Sequence, residues 1–340
     1  MPKRDHGFTL SETLIAMALT IIIVGAAVNA FNSSMRLADT ARIVSEMNQS
    51  LQAGMSLMVR DMIQTGTNVP RSGIPIPNGM GALPVQRPGP LNGAGGPLTF
   101  PAAWEVIPSV IPGGGLGPVI NGLPTDIITL IYADPTLPLN QFPLAGIAAD
   151  GSNMTVNNAT NIGGADGIRA GDIIMFSNAL GNAIQMVSGV NNQVVAFAAG
   201  DPMGLNQRNA AGGSVMDLQS APGVFPPTTA TRMLLVSYYI DTQTDPNLPR
   251  LVRQIGLGPQ LAIAMGLENI QVTFDLVDGV GNPTNVENPA APNSPHQIRK
   301  INLFVSARSL DQNANTHQFM RNSMATQIGL RSLSYTDRYR

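Results

Sequence analysis

The sequence predicts an α+β protein. A long N-terminal helix, transmembrane at its start and amphipathic further on, packs on a mainly antiparallel β-sheet globular domain with long Gly/Pro-rich loops. Residues 8–31 are mostly apolar and carry Glu12 as their only formal charge. Residues 32–65 repeat apolar side chains at helical spacing, and β-branched segments recur after residue 125. The residues therefore divide the chain into a transmembrane helix at 8–31, its amphipathic continuation at 32–65, a Gly/Pro-rich insertion at 66–124 and a β-rich domain at 125–340, after a short segment at 1–7.

The first helical segment, residues 8–31, is long enough to cross a membrane. At about 1.5 Å per residue, its roughly 24 residues cover about 36 Å. Lys3 and Arg4 precede it, so the positive-inside tendency places the rest of the chain outside the cytoplasm. A simple membrane anchor and a cleaved secretory signal, with small residues at Val28-Asn29-Ala30, are alternatives. Neither explains Glu12, because a carboxylate in hydrocarbon costs about 2.5–3.5 kcal/mol.

The second helical segment, residues 32–65, has an apolar stripe with charged and polar residues between its members. We expect the stripe to pack against a sheet, with contact to neighbouring subunits as the alternative for part of it. Arg60 and Asp61 are expected on a solvated or locally paired face, and Gly66 is expected as the left-handed residue that ends the helix. The stripe consists of Met35, Val44, Met47, Leu51, Met55, Met58 and Met62.

Glycine and proline make up about two fifths of residues 66–124. This insertion is expected to be irregular loop with one short strand at 104–107. The run Gly113-Gly114-Gly115 does not fit a phosphate-binding loop, because no Gly-Lys-Ser/Thr follows it.

Short segments rich in branched and aromatic residues follow the insertion and predict the strands of the sheet. Two of them, at 233–240 and 251–254, predict a hairpin with an extended loop, and a short helix is expected at 260–267. The predicted strands are 126–132, 172–176, 183–188, 193–198, 233–240, 251–254, 270–277 and 298–306.

The residues offer little chemistry. The chain has no cysteine and three histidines, and its formal net charge of -2 provides no basic field for nucleic acid. No catalytic motif is recognisable, so we expect neither an enzyme nor a cofactor. The best metal candidate is a weak calcium site at Asp275, Asp278 and Asn282, where a plain Asx turn is the favoured interpretation.

The N-terminal residues resemble a known processing signal. Gly7-Phe8-Thr9-Leu10-Ser11-Glu12, after a short basic leader and before an apolar run, is similar to the class III signal of type IV prepilins and type II secretion pseudopilins. The resemblance implies that residues 1–7 are a prepilin leader and that a prepilin peptidase cuts between Gly7 and Phe8 and methylates Phe8. It also implies that Glu12, the fifth residue of the mature chain, contacts a neighbouring subunit during assembly.

Further segments resemble PilW-type minor pilins. The resemblance implies a single-pass inner-membrane protein with a periplasmic globular domain, which reaches the pilus or cell surface. It would assemble with other minor and major pilins at the inner-membrane assembly platform, and it would prime or cap the pilus. The alternatives are a minor pseudopilin of a type II secretion system and a tip adhesin or ligand-binding module on a pilin shaft. The similar segments are 125–132, 170–174, 237–239, 251–254, 267–272, 301–308 and 326–332.

Overall fold

A single long helix dominates the N-terminal part of the molecule. The computed structural model places helix α1 at Leu10–Gln64, 55 residues that extend over about 82 Å. Thr65 caps its end and Gly66, with φ +80°, takes the left-handed conformation that a side chain would disfavour. The predicted continuation of the helix and the role of Gly66 are therefore confirmed. The structure describes residues 9–77, 84–91, 96–101, 104–137, 139, 144–157, 162–164, 167–313 and 316–334.

The remainder of the described chain is built mostly from strands. Two 3-10 helices lie at Val215–Leu218 and Pro295–Gln297, and a short helix, α2, lies at Arg331–Ser334. The strands are β1 (Ile74–Pro75), β2 (Val106–Ile107), β3 (Val110–Ile111), β4 (Val119–Ile120), β5 (Leu123–Pro124), β6 (Ile128–Ala133), β7 (Leu144–Ile147), β8 (Asn153–Val156), β9 (Ile173–Asn178), β10 (Gly181–Met186), β11 (Gly189–Asn191), β12 (Val194–Ala196), β13 (Thr229–Asp241), β14 (Arg250–Ile255), β15 (Gln260–Met265), β16 (Leu267–Leu276), β17 (Ile298–Gln312) and β18 (Phe319–Gly329).

The largest sheet has seven strands, all paired antiparallel. Strand β13 is its centre: the first part of β13 pairs with β9, its middle pairs with β6, and its last part pairs with β14. The predicted hairpin at 233–240 and 251–254 is the β13–β14 pair and is confirmed. Three antiparallel strands, β16, β17 and β18, form a second sheet, and four more form a third in the order β11-β12-β8-β7. The predicted α+β fold class is confirmed.

The second half of α1 packs on the seven-stranded sheet and on the sheet of β16, β17 and β18, and it forms one core with them. Four methionines of the predicted stripe and Leu51 are buried there, whereas Met35 is 57% exposed and Val44 is only half-buried. Met35 was therefore assigned to this core wrongly, because the helix has not yet reached the domain at that position. Among the strand residues of this helix-side core are Leu130, Val236, Leu251, Ile270 and Val305.

The Gly/Pro-rich insertion covers the opposite face of the seven-stranded sheet. The predicted strand at 104–107 corresponds to β2, but the insertion also contains β1, β3 and the β4–β5 hairpin. Its apolar residues build a second core together with β6, β9, β10 and β13. The description as irregular loop was incomplete, since these apolar residues are scattered among glycines and prolines. The insertion's buried members include Ile74, Ile76, Val85, Phe100, Ile107 and Ile111.

Arg87 fastens the insertion to the sheet. Its guanidinium is buried and donates hydrogen bonds to the Thr129 hydroxyl at 3.0 Å and to the carbonyls of Pro112 at 2.6 Å and Ile111 at 3.0 Å. A fourth bond reaches the carbonyl of Ile127 at 3.3 Å. Burial lowers the pKa of Arg87 to about 9. The hydrogen bonds compensate the desolvated cation, and they join the insertion to strand β6.

Two other predictions differ from the structure. Residues 260–267 were predicted to form a short helix, yet Gln260–Met265 is strand β15 at an edge of the large sheet. Their apolar spacing fits either element, and pairing with β14 decides between them. Strand β18 was missed because its apolar residues, Phe319, Met320, Met324, Ala325 and Ile328, do not alternate with polar ones along the sequence.

Candidate functional site

The first part of α1 lies entirely outside the domain. Every residue from 9 to 38 is exposed, although most of the side chains are apolar. The helix is long and apolar enough to cross a membrane by length and composition. An apolar helix surface of this size needs lipid or other protein around it. The most exposed large side chains are Leu10, Ile21, Leu37, Met17, Ile22 and Ile23.

Glu12 lies at the beginning of this exposed segment and caps the helix. The Thr9 backbone N–H and the Thr9 hydroxyl donate hydrogen bonds to Glu12 Oε2 at 2.9 Å and 2.8 Å. In return, the Glu12 N–H donates to Thr9 Oγ1 at 3.3 Å, which completes a capping box. The spacing Thr9-x-x-Glu12 is the sequence signal that could have predicted this local role.

The capping box leaves part of the Glu12 carboxylate available. Within the described residues, the hydrogen bonds recorded for this carboxylate all involve Oε2, and the side chain is exposed. A donor from another molecule can therefore reach Oε1. Gly7 and Phe8, the predicted cleavage and methylation positions, lie outside the described residues.

The second half of α1 is held to the sheet by a buried polar network around Asp61. Asp61 is 2% exposed, and its Oδ2 accepts hydrogen bonds from the Tyr238 hydroxyl at 2.6 Å and from Arg253 Nε at 2.7 Å. Tyr238 and Arg253 are direct cross-strand neighbours in the β13–β14 pair. Asp61 was expected on a solvated or locally paired face, and that expectation was wrong because its partner lies on a distant strand.

The network shifts the titration of its own members. Burial raises the pKa of Tyr238, and the negative charge of Asp61 raises it further. For Arg253, burial lowers the pKa, but the hydrogen bond and charge of Asp61 more than offset this effect, so the pKa is raised. Both groups thus keep their protons over the physiological pH range, which preserves the hydrogen bonds to Asp61.

Gly54 allows the helix to approach the sheet closely. A Cβ atom at this position would lie 3.0 Å from the Cβ of Ala264 and 3.1 Å from Cδ2 of Leu251. Next to it, the Ser50 hydroxyl donates to the Met265 carbonyl and accepts from the Met265 N–H, both at 3.0 Å. The second half of the helix therefore contacts strand β15 closely at Gly54, and the two hydrogen bonds of Ser50 join it to the same strand.

The weak calcium candidate has the geometry of a turn. Asp278 Oδ1 accepts from the backbone N–H groups of Val280, Gly281 and Asn282 at 2.8–2.9 Å. Asp275 Oδ1 instead accepts from the side-chain amide of Asn302 at 2.8 Å. Among the described residues, no group of three or more acidic or histidine side chains is placed to hold a metal ion.

Three backbone N–H groups in and beside the glycine run of the insertion are engaged within the fold. Gly114 N–H donates to the side chain of Asn288 at 3.0 Å, and Gly115 N–H donates to Asp126 Oδ1 at 2.8 Å. Gly117 N–H donates to the Thr125 carbonyl at 2.8 Å. These contacts give the run a structural role within the fold.

Comparison with known families identifies the N-terminal segment. Residues 2–28 match the model of the prokaryotic N-terminal methylation motif. The chain carries a prepilin-type N-terminus. The predicted resemblance to type IV prepilins is confirmed for this segment, and similarity to PilW-type pilins in particular stays a prediction. The motif implies processing by a prepilin peptidase and assembly with other pilins, and together with the exposed apolar helix it fits anchoring in a membrane.

Comparisons of the whole chain add little to this identification. No curated protein matches the sequence. Among solved structures, a type IV-like pilin from Thermus thermophilus is matched with 9% identity, and the match covers 49% of this chain and 87% of that one. Its TM-score of 0.19 is too low to support any conclusion about the fold.

Proposed function

We propose that this chain is a minor type IV pilin of the PilW type. It is cut between Gly7 and Phe8, methylated on Phe8, and inserted in the inner membrane by the helix that follows, with its β-rich domain in the periplasm. It then assembles with other minor and major pilins at the inner-membrane platform and primes or caps the pilus. Its contribution is structural and involves no catalysis.

The observation that carries the proposal is the exposed apolar segment that follows the methylation motif. Residues 9–38 project from a domain that holds the rest of the same helix firmly. The lipid of the membrane shields this apolar surface from water before assembly, and the helices of neighbouring pilins shield it afterwards. The continuity of the helix then links the packing of the filament to the position of the domain.

The proposal gives Glu12 a binding role, whereas a simple membrane anchor has no use for a carboxylate. After cleavage, the new amino group belongs to Phe8, four residues before Glu12 in the sequence, and a neighbouring subunit offers an equivalent amine. Pairing with that amine compensates a carboxylate whose burial in hydrocarbon costs about 2.5–3.5 kcal/mol. The accessible Oε1 and the exposure of the side chain are compatible with this contact.

The intact mass of the mature protein tests the processing step. We expect a chain that begins at Phe8 and carries one additional methyl group. A mature chain that begins near Ala30 or Phe31 would instead indicate an ordinary secretory signal, and an uncut chain would indicate a simple anchor.

Deletion of the gene tests the assignment to a pilus. We expect loss of surface pili or twitching, with secretion of exoproteins unchanged. Loss of exoprotein secretion with normal pili would contradict this assignment and identify the chain as a minor pseudopilin of a type II secretion system.

A further inference from the structure

A cleft of about 320 Å³ lies between the insertion and the loop that precedes β17. Trp104 and Glu105 line it from the insertion, and Asn293, Ser294 and His296 line it from the loop. It is remote in sequence from α1, and the assembly role does not use any of these side chains. Its volume is at the lower end of the range of small-molecule sites, which suits one ring of five or six atoms.

Trp104 provides a fixed aromatic wall for the cleft. Its ring contacts that of Phe100, with centroids 6.3 Å apart and planes inclined at 40°. Phe100 is buried in the second core, which the insertion builds with β6, β9, β10 and β13. Trp104 packs against that core while staying half-buried. The indole is therefore held in place by the core, and a ligand would not need to order it on binding.

Four of the other lining residues supply hydrogen-bonding side chains of mixed type, and the remaining six are valine, proline and alanine. The Glu105 carboxylate is exposed, Asn293 offers an amide, and Ser294 offers a hydroxyl. Burial lowers the pKa of His296, so its ring is neutral at pH 7, and a hydrogen bond with the backbone of Arg71 orients it. Together they can both donate to and accept from hydroxyl groups.

We propose that this cleft binds a single neutral sugar ring. The apolar face of a sugar stacks on the Trp104 indole, while its hydroxyls bond to Glu105, Asn293 and Ser294. The Glu105 charge disfavours an anionic ligand, and a single aromatic wall differs from the several rings of a quaternary-ammonium cage. This binding role goes beyond the pilin function and does not depend on it.

Trp104 itself reports on the proposed site, because it is the only tryptophan of the chain. The full-length protein, kept in a detergent without a sugar headgroup, is titrated with a panel of methyl glycosides of neutral hexoses and N-acetylhexosamines. We expect a saturable change in tryptophan emission with at least one glycoside. Choline and a proline-rich peptide are titrated in parallel as ligands of other classes.

Two variants separate binding from unspecific quenching. Glu105→Ala is expected to weaken glycoside binding roughly tenfold or more, the factor for a lost hydrogen bond to a charged group. Glu287→Ala removes an exposed carboxylate that does not line the cleft, and it should bind as the wild type does. The proposal is overturned by the absence of a saturable response to every glycoside, by equal affinities of the two variants, or by saturation with choline or the peptide alone.

Discussion

The two halves of helix α1 have the same backbone conformation and opposite surroundings. Residues 9–38 are exposed throughout, whereas the half that includes Leu51, Met58 and Met62 has these side chains fully buried against the domain. The first half is apolar around its circumference, and the second is apolar on one stripe. The distribution of apolar residues around a helix thus indicates whether the helix packs on one sheet or is surrounded by apolar material on all sides.

Fixation to the domain also differs between the halves. In the second half, Asp61 and Ser50 bond to strands β13, β14 and β15. In the first half, Thr13, Thr20 and Ser34 donate their hydroxyls to carbonyls of the same helix. Polar side chains there are satisfied locally, which suits an environment without water. The comparison predicts that equivalent substitutions have unequal effects in the two halves.

The largest effect on stability is expected when the buried ion pair of Asp61 and Arg253 is broken. Asp61→Leu leaves Arg253 desolvated without its carboxylate, so the free energy of unfolding should fall by about 3–5 kcal/mol. Denaturant unfolding of the full chain in detergent measures the change. Glu46→Gln, which removes an exposed ion pair with Arg42, is the matched control and should cost at most about 1 kcal/mol.

A double variant separates charge from packing in this prediction. Asp61→Leu combined with Arg253→Met removes both charges and should recover most of the lost stability. A double variant as unstable as Asp61→Leu alone would show that the loss comes from altered packing and not from the unpaired Arg253.

A smaller effect is expected where the helix approaches the sheet. Gly54→Leu places a side chain against Ala264 and should destabilise the domain by about 1–3 kcal/mol through overpacking. Gly25→Leu is the matched control in the exposed half, because a Cβ atom at this position would have no neighbour within 4 Å outside the local helix backbone. Equal unfolding midpoints for the two variants would contradict the close approach of helix and sheet.

The smallest effect on the free energy of unfolding at neutral pH is expected from the buried tyrosines, whose contribution changes only at high pH. Burial raises the pKa of Tyr132, Tyr238 and Tyr239, so below their ordinary pKa, about 10, they contribute stability that is lost as pH rises above it. Absorbance at the tyrosinate band should show these three ionising together with unfolding. Tyr239→Phe should remove one of the three tyrosine ionisations that accompany unfolding. Ionisation of Tyr132, Tyr238 and Tyr239 near pH 10 in the folded protein would contradict their burial.

The helix could be predicted because its signals are local: an apolar run, a stripe at three- and four-residue spacing, and a terminating Gly66. Asp61 lies on the same face of the helix as the stripe, since it follows Met58 by three positions and Gly54 by seven. A charge on such a stripe indicates a buried partner, but nothing local identifies Arg253, which lies 192 residues away. The insertion was harder still, because its apolar residues have no regular period and acquire a common core only when β6 and β13 lie beneath them.

The behaviour of Glu12→Leu tests the central claim most directly, namely that the exposed half of α1 is an assembly surface whose carboxylate contacts a neighbour. The variant is expressed in place of the wild-type chain, and its amount is measured in the membrane and in sheared surface filaments. We expect normal insertion, normal cleavage after Gly7 and an unchanged unfolding midpoint of the domain, with loss of the chain from the filaments. Incorporation at the wild-type level would contradict the claim and reduce Glu12 to a helix cap.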